Sequence, residues 1–152
     1  MRATYMPRAT CILIGKIIYI FKVEDTNKEE EFKEKLTREE YEILRKKGTE
    51  LPYSGIYWDS HDRGIYSCKA CGAELFSSDD KFDSNTGWPS FTKPIAEGKI
   101  KFEEDLSQGV MRTEVLCGKC KSHLGHVFDD GPAPTGKRFC INSISLDLDN
   151  KN

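Results

Sequence analysis

The chain has 152 residues, with 23 Lys and Arg against 25 Asp and Glu and a formal net charge of −2. That is enough chain for one domain with its own core, and the near-neutral balance argues against a nucleic-acid binder. Aromatic residues at 11% supply bulky core material, which excludes disorder throughout. No apolar run approaches the ~20 residues that cross a bilayer, and six cysteines are too sparse for a small disulfide scaffold.

Residues 1–23 carry Arg2, Arg8, Lys16 and Lys22 and no acid. Within them, residues 11–21 are largely apolar and include Cys11. A signal-peptide core is one reading, but Lys16 interrupts it and no A-x-A site follows. A β-strand or an extension outside the main domain fits better, and a cytoplasmic location is expected. Residues 1–28 are expected to form this extension and 29–150 the main domain. The acidic, Lys-rich stretch 24–35 reads as a solvated linker or an exposed helix.

A helix start follows. Thr37 and Glu40 have capping-box spacing, and Leu36 and Tyr41 occupy the positions of a hydrophobic staple. Gly48 is placed to stop the helix. Beyond Leu51, Pro, Gly and Ser punctuate short segments at 64–68, 74–76, 99–102, 110–116 and 138–148, the pattern of an antiparallel, mainly β core.

Two C-x-x-C pairs interrupt these strands, Cys68/Cys71 and Cys117/Cys120. Gly72 follows the first and Gly118 lies inside the second. Glycine there relieves crowding and lets backbone N–H groups face thiolates. Four sulfurs make the tetrahedral set that structural Zn²⁺ prefers, with no position left open for catalysis. Two redox dithiols, or two disulfides within the pairs, are the bland alternative. The 45 residues between the pairs make the expected metal a clip between distant hairpins.

Gly87-Trp88-Pro89-Ser90-Phe91 is either a packed aromatic corner or an apolar wall for a small substrate group. His123 and His126 follow the second cysteine pair, and Asp130 is near enough in sequence to orient one imidazole. His61 reads as an ordinary surface residue. In Arg138-Phe139-Cys140-Ile141-Asn142, strand alternation turns Phe139 and Ile141 to the core and sets Arg138, Cys140 and Asn142 on the other face. After Ser143 the apolar phase shifts to Ile144, Leu146 and Leu148, which implies a bulge or crossing beside Cys140. A guanidinium on the same face favours thiolate, and a nearby histidine serves as acid or base.

In this order and combination the motifs resemble the peptide-methionine (R)-S-oxide reductases, the MsrB family, over residues 36–148. The resemblance implies two antiparallel β-sheets with short N-terminal helices and one structural Zn²⁺ on Cys68, Cys71, Cys117 and Cys120. It implies that Cys140 attacks the sulfoxide sulfur and becomes a sulfenic acid. His123 and His126 match residues that bind or protonate the sulfoxide oxygen, supported by Asp130 and Asn142. Arg138 matches the arginine flanking the nucleophile, and Trp88 the indole against the substrate's methyl group. The implied partners are methionine-R-sulfoxide in proteins or peptides and thioredoxin or a small thiol as reductant, with no nucleic acid, no membrane and a monomeric chain. One departure stands out: Thr86 occupies the place of the resolving cysteine that many members carry. A zinc-stapled binding or chaperone module without turnover is the rival reading, but it leaves the Arg138–Cys140–Asn142 face and the paired histidines unexplained.

Overall fold

A computed structural model describes residues 27–150. Cys11 and the apolar run 11–21 lie outside the described residues. The chain divides between Thr37 and Arg38 into two compact units. In the first, residues 27–35 form a helix (α1), mostly exposed, as its acidic, Lys-rich composition requires. The second unit begins with α2, Arg38–Leu44, directly after Thr37.

The helix α2 buries Ile43 and Leu44 and keeps Glu39 and Glu40 in its first turn, where the helix dipole favours acids. Its end differs from the expectation. The left-handed residue is Lys47, at φ 60°, not Gly48. The Gly48 N–H then reaches back to the Glu42 carbonyl at 3.1 Å.

Nine strands follow among the described residues: β1 Gly64–Cys68, β2 Glu74–Ser77, β3 Lys81–Phe82, β4 Ser90–Phe91, β5 Ile100–Asp105, β6 Arg112–Cys117, β7 His123–Phe128, β8 Arg138–Ile141 and β9 Leu146–Asn150. They build two sheets, ordered β2-β1-β9 and β3-β4-β8-β7-β6-β5. Every pairing is antiparallel. The expected mainly β architecture with two antiparallel sheets is borne out. The crossing expected beside Cys140, with the apolar phase shifting after Ser143, takes the form of a 3₁₀ turn at Ser143–Ser145 that carries the chain from β8 in one sheet to β9 in the other.

Aromatic rings join the sheets. Phe76 of β2 stacks on Phe91 of β4 at 4.4 Å, and Tyr66 of β1 meets Phe91 edge-on at 5.1 Å. All three are fully buried. Each such pair adds about 0.5–1.5 kcal/mol beyond area burial. Phe139 closes the cluster 5.9 Å from Phe76, so the inward side of β8 is locked while Cys140 faces the other way.

Candidate active site

The four paired cysteines converge. Their sulfurs lie within 4.8 Å of one another, a group that could hold a metal ion. Cys68 and Cys120 sulfurs are 3.7 Å apart, Cys71 and Cys117 3.6 Å. A tetrahedron with metal–sulfur bonds of about 2.3 Å has edges near 3.8 Å, so the donor set fits a tetrahedral ion. None of the four is in a disulfide. Crowding against Cys117 and Cys120 pushes the Cys68 thiol well above its ordinary range, the penalty a bound cation relieves. Backbone N–H groups of Lys119 and Cys120 face the Cys117 sulfur, and that of Ser122 faces Cys120.

The two knuckles close alike, by different residues. Gly72 N–H bonds the Cys68 carbonyl at 2.8 Å, and Lys121 N–H bonds the Cys117 carbonyl at 2.9 Å. Both residues have positive φ, 81° and 63°. Gly118 serves close approach: a Cβ there would stand 2.4 Å from the Gly98 carbonyl oxygen.

Cys140 opens on a cavity of about 190 Å³ that Trp88, Arg112, His126, Arg138 and Asn142 also line. Two neighbouring strands put the thiol there, with Ser90 of β4 and His126 of β7 directly opposite Cys140 of β8. Arg138 is fixed from both sides. Its guanidinium lies 4.5 Å over the Phe128 ring and donates to both carboxylate oxygens of Asp130, at 2.9 and 3.2 Å. Burial pushes the Cys140 thiol above its ordinary value, while the charge of Arg138 pulls it down.

The histidines are held by carboxylates the sequence did not single out. His126 Nε2 meets Asp105 Oδ2 at 2.7 Å, which leaves Nδ1 for a ligand. His123 Nδ1 meets Glu114 Oε2, also at 2.7 Å. Both carboxylates are buried. Lys47 spans them, 3.1 Å from Glu114 and 3.8 Å from Asp105, and Arg112 adds a bond to Asp105 at 3.2 Å. Lys47 lies at the left-handed turn just past the end of α2. Asp130, expected to orient an imidazole, instead clamps Arg138. It lies past the end of β7, where Phe128 pairs with Arg138, while the imidazoles bond Asp105 and Glu114.

His123 also departs from the expected arrangement. It lines a second cavity with Lys47, Glu114 and Lys121, not the Cys140 cavity. Its ring stands edge-on to His126 at 5.5 Å, and its buried Nε2 has no hydrogen-bond partner. Burial holds His123 below the ordinary imidazole range in spite of Glu114. His61 is an exposed residue bonded to exposed Asp83.

Glu50 ties two expected residues together. Its N–H donates to Asn142 Oδ1 at 3.0 Å, and its carbonyl accepts from the Trp88 indole at 3.1 Å. Its carboxylate accepts from the Ser143 and Ile144 N–H groups. Asn142 Nδ2 donates to the Leu124 carbonyl. Asn142 thus fixes the β7–β8 corner, and Trp88 is held as a wall.

A family model described as the SelR domain matches residues 36–150. The peptide methionine sulfoxide reductase MsrB of Methanosarcina barkeri is 58% identical over 120 residues, covering 79% of this chain and 84% of that protein. The protein of the same name from Leptospira interrogans is 55% identical over 118 residues, 78% and 90% of the two chains. That of Acinetobacter baumannii is 53% identical over 127 residues, 84% and 90%. The chain belongs to the MsrB family.

As an MsrB-family member it is an oxidoreductase, and the reading as a module without turnover falls. The family match begins at residue 36, close to where the second compact unit begins. Every residue described around Cys140 lies inside the MsrB region.

Proposed function

We propose that the chain reduces the R epimer of methionine sulfoxide, in proteins or peptides, with Cys140 as nucleophile. The observation that carries the reading is the pairing of Cys140 with His126 across β8 and β7, in one cavity walled by Trp88. The Cys140 thiolate attacks the sulfoxide sulfur. His126, with Nε2 anchored on Asp105, protonates the sulfoxide oxygen, which leaves poorly until protonated. The oxygen passes to the cysteine sulfur. The methionine sulfur gains two electrons, Cys140 loses two, and a sulfenic acid remains.

Two external thiols return Cys140 to the thiol, forming one disulfide and one water. Thioredoxin or a small thiol supplies them, because Thr86 offers no sulfur and Cys68, Cys71, Cys117 and Cys120 belong to the metal cluster. Zn²⁺ is the ion proposed there, one per chain, in a structural role. Trp88 on one side and His126 on the other favour one sulfur configuration. Asn142 and Arg138 support the thiol, His123 lies behind His126, and Asp130 acts through Arg138. The enzyme works as a cytoplasmic monomer, which fractionation and light scattering test.

The decisive experiment presents the R and S sulfoxide epimers separately. Rapid reduction of R alone, abolished in Cys140→Ser, is expected; equal rates on both would overturn the reading. Dimedone trapping after one turnover without reductant should mark Cys140 and leave Cys11 free. A Cys11–Cys140 disulfide would replace direct reduction with an internal route.

A further inference from the structure

The loop between α2 and β1 carries an exposed apolar cluster that the reaction above does not use. Leu51, Tyr53 and Ile56 are among the large apolar side chains exposed to solvent. Residues 51–58 include no charged side chain. Hydrogen bonds tie this loop to the border of the Cys140 cavity. Thr49 lines the cavity, and Glu50 bonds Trp88 and Asn142, which line it too. The Tyr53 N–H donates to the Gly87 carbonyl at 2.8 Å and its hydroxyl to the Asn85 carbonyl at 3.0 Å, on either side of cavity-lining Thr86. Past Ile56, the Tyr57 N–H donates to Ser143 Oγ at 3.2 Å, next to cavity-lining Asn142.

The cluster is held in place as well as exposed. Tyr53 has φ 64°, a left-handed conformation that a bulky residue rarely adopts. Its two bonds to the 85–87 segment keep it there, and its ring stands edge-on to Trp58 at 4.9 Å. A backbone already fixed loses little freedom when a partner covers it.

We propose that Leu51, Tyr53 and Ile56 form a docking rim for the polypeptide that carries the oxidised methionine, and that the rim takes an apolar side chain next to the sulfoxide in sequence. The proposal rests on the reductase reading and names what that site recognises beyond the sulfoxide. A cavity of about 190 Å³ has room for one methionine sulfoxide side chain, not for the polypeptide on either side of it. The flanking residues then run out over the cavity's border, and the 51–56 loop is part of that border. The chemistry of the occupant follows from methionine itself. Methionine packs in apolar cores, and its oxidation opens them. The residues uncovered beside an oxidised methionine are accordingly apolar. An uncharged rim accepts them, whereas a charged neighbour would lose hydration there and gain no ionic partner from residues 51–58.

The test compares two peptides of equal length in which the R-sulfoxide is flanked by leucine or by serine. The full chain is assayed with dithiothreitol as the only reductant. The readout is the ratio of kcat/KM for the two peptides, because a change in the chemistry itself scales both. The wild type is expected to favour the leucine peptide by about tenfold, the scale of one partly buried apolar side chain. Leu51→Ser combined with Ile56→Ser should bring the ratio close to one. Both side chains are 75% exposed, so neither substitution opens the core. If the pair misfolds, each single variant should lower the ratio. A wild-type ratio near one overturns the proposal, and so does a ratio unchanged in the double variant. Slower turnover of the double variant with thioredoxin alone, at an unchanged ratio, would give the loop to the reductant. A ratio that moves with protein concentration would give it to a second copy of the chain. Either result overturns the assignment to substrate. Reduction of neither peptide by the wild type fails the reductase reading itself, and the proposal falls with it.

Discussion

Asp105 and His126 meet at 2.7 Å, with the carboxylate nearly closed to water and hydrogen-bonded on both oxygens. An imidazole fixed through Nε2 keeps one orientation, and a carboxylate behind it stabilises the charged form. Asp105→Asn is therefore expected to slow single-turnover reduction by about 10²-fold, the range for a misplaced general acid. Full activity in Asp105→Asn would show that His126 needs no anchor.

Asp105 also carries an acid-stability signature. Ser107, His126 and Lys47 hold its carboxyl well below the ordinary 3.8. A depressed folded value stabilises the protein above the ordinary carboxylate range, and this is lost as pH falls through the folded value. Urea melts between pH 5 and pH 2 should show that loss in the wild type. Asp105→Asn should be less stable at pH 5 and vary less with acid.

Arg138 opposes the burial that raises the Cys140 thiol. Thiolate is the minor form at neutral pH, so alkylation of Cys140 should quicken toward alkaline pH. Arg138→Met removes the charge and should shift the midpoint further up. A midpoint unmoved by Arg138→Met would assign the guanidinium to packing on Phe128 instead.

Freshly purified protein should hold one equivalent of Zn²⁺, and Cys71→Ser should lose most of it. The clip joins segments far apart in sequence, so Tm should fall by about 10 °C, equivalent to ~3 kcal/mol for a chain of this size. Less than half an equivalent of metal in the wild type would sink the assignment.

Gly125 is the spacer that lets β7 lie against β8. A Cβ there would stand 1.9 Å from the Cys140 carbonyl oxygen, which is backbone and cannot swing away. Gly125→Ala should part the strands beside His126, cost about 3 kcal/mol in a urea melt, and depress turnover with it.

Much of this site was legible along the chain because its residues sit in local patterns. Cysteine spacing picked out the four sulfurs that could hold a metal ion, and alternation around Cys140 gave its face and the crossing beside it. The carboxylates were not legible. Glu114 is 9 residues from His123 and Asp105 is 21 from His126, and only the β5–β6–β7 ladder makes them neighbours. A usable signal was present: Glu114 shares its strand with buried Val115, Leu116 and Cys117, a place where an acid is costly without a partner. Strand β7 was missed because its polar residues are as buried as its apolar ones. Strands β3 and β4 are two residues each, too short for any period to register.

Lys121 holds the left-handed conformation that glycine holds in the first knuckle. For a residue with a Cβ this costs about 1–2 kcal/mol. The turn bond from its N–H to the Cys117 carbonyl offsets part of that cost, and the sulfurs of Cys117 and Cys120 sit on either side of the turn. The second knuckle is thus wound tighter than its own sequence prefers. Removal of a bound metal by a chelator is expected to open the chain here first. Amide exchange at Lys121, whose N–H closes the turn, should outrun exchange along the β6–β7 ladder, and Lys121→Gly should erase that lead.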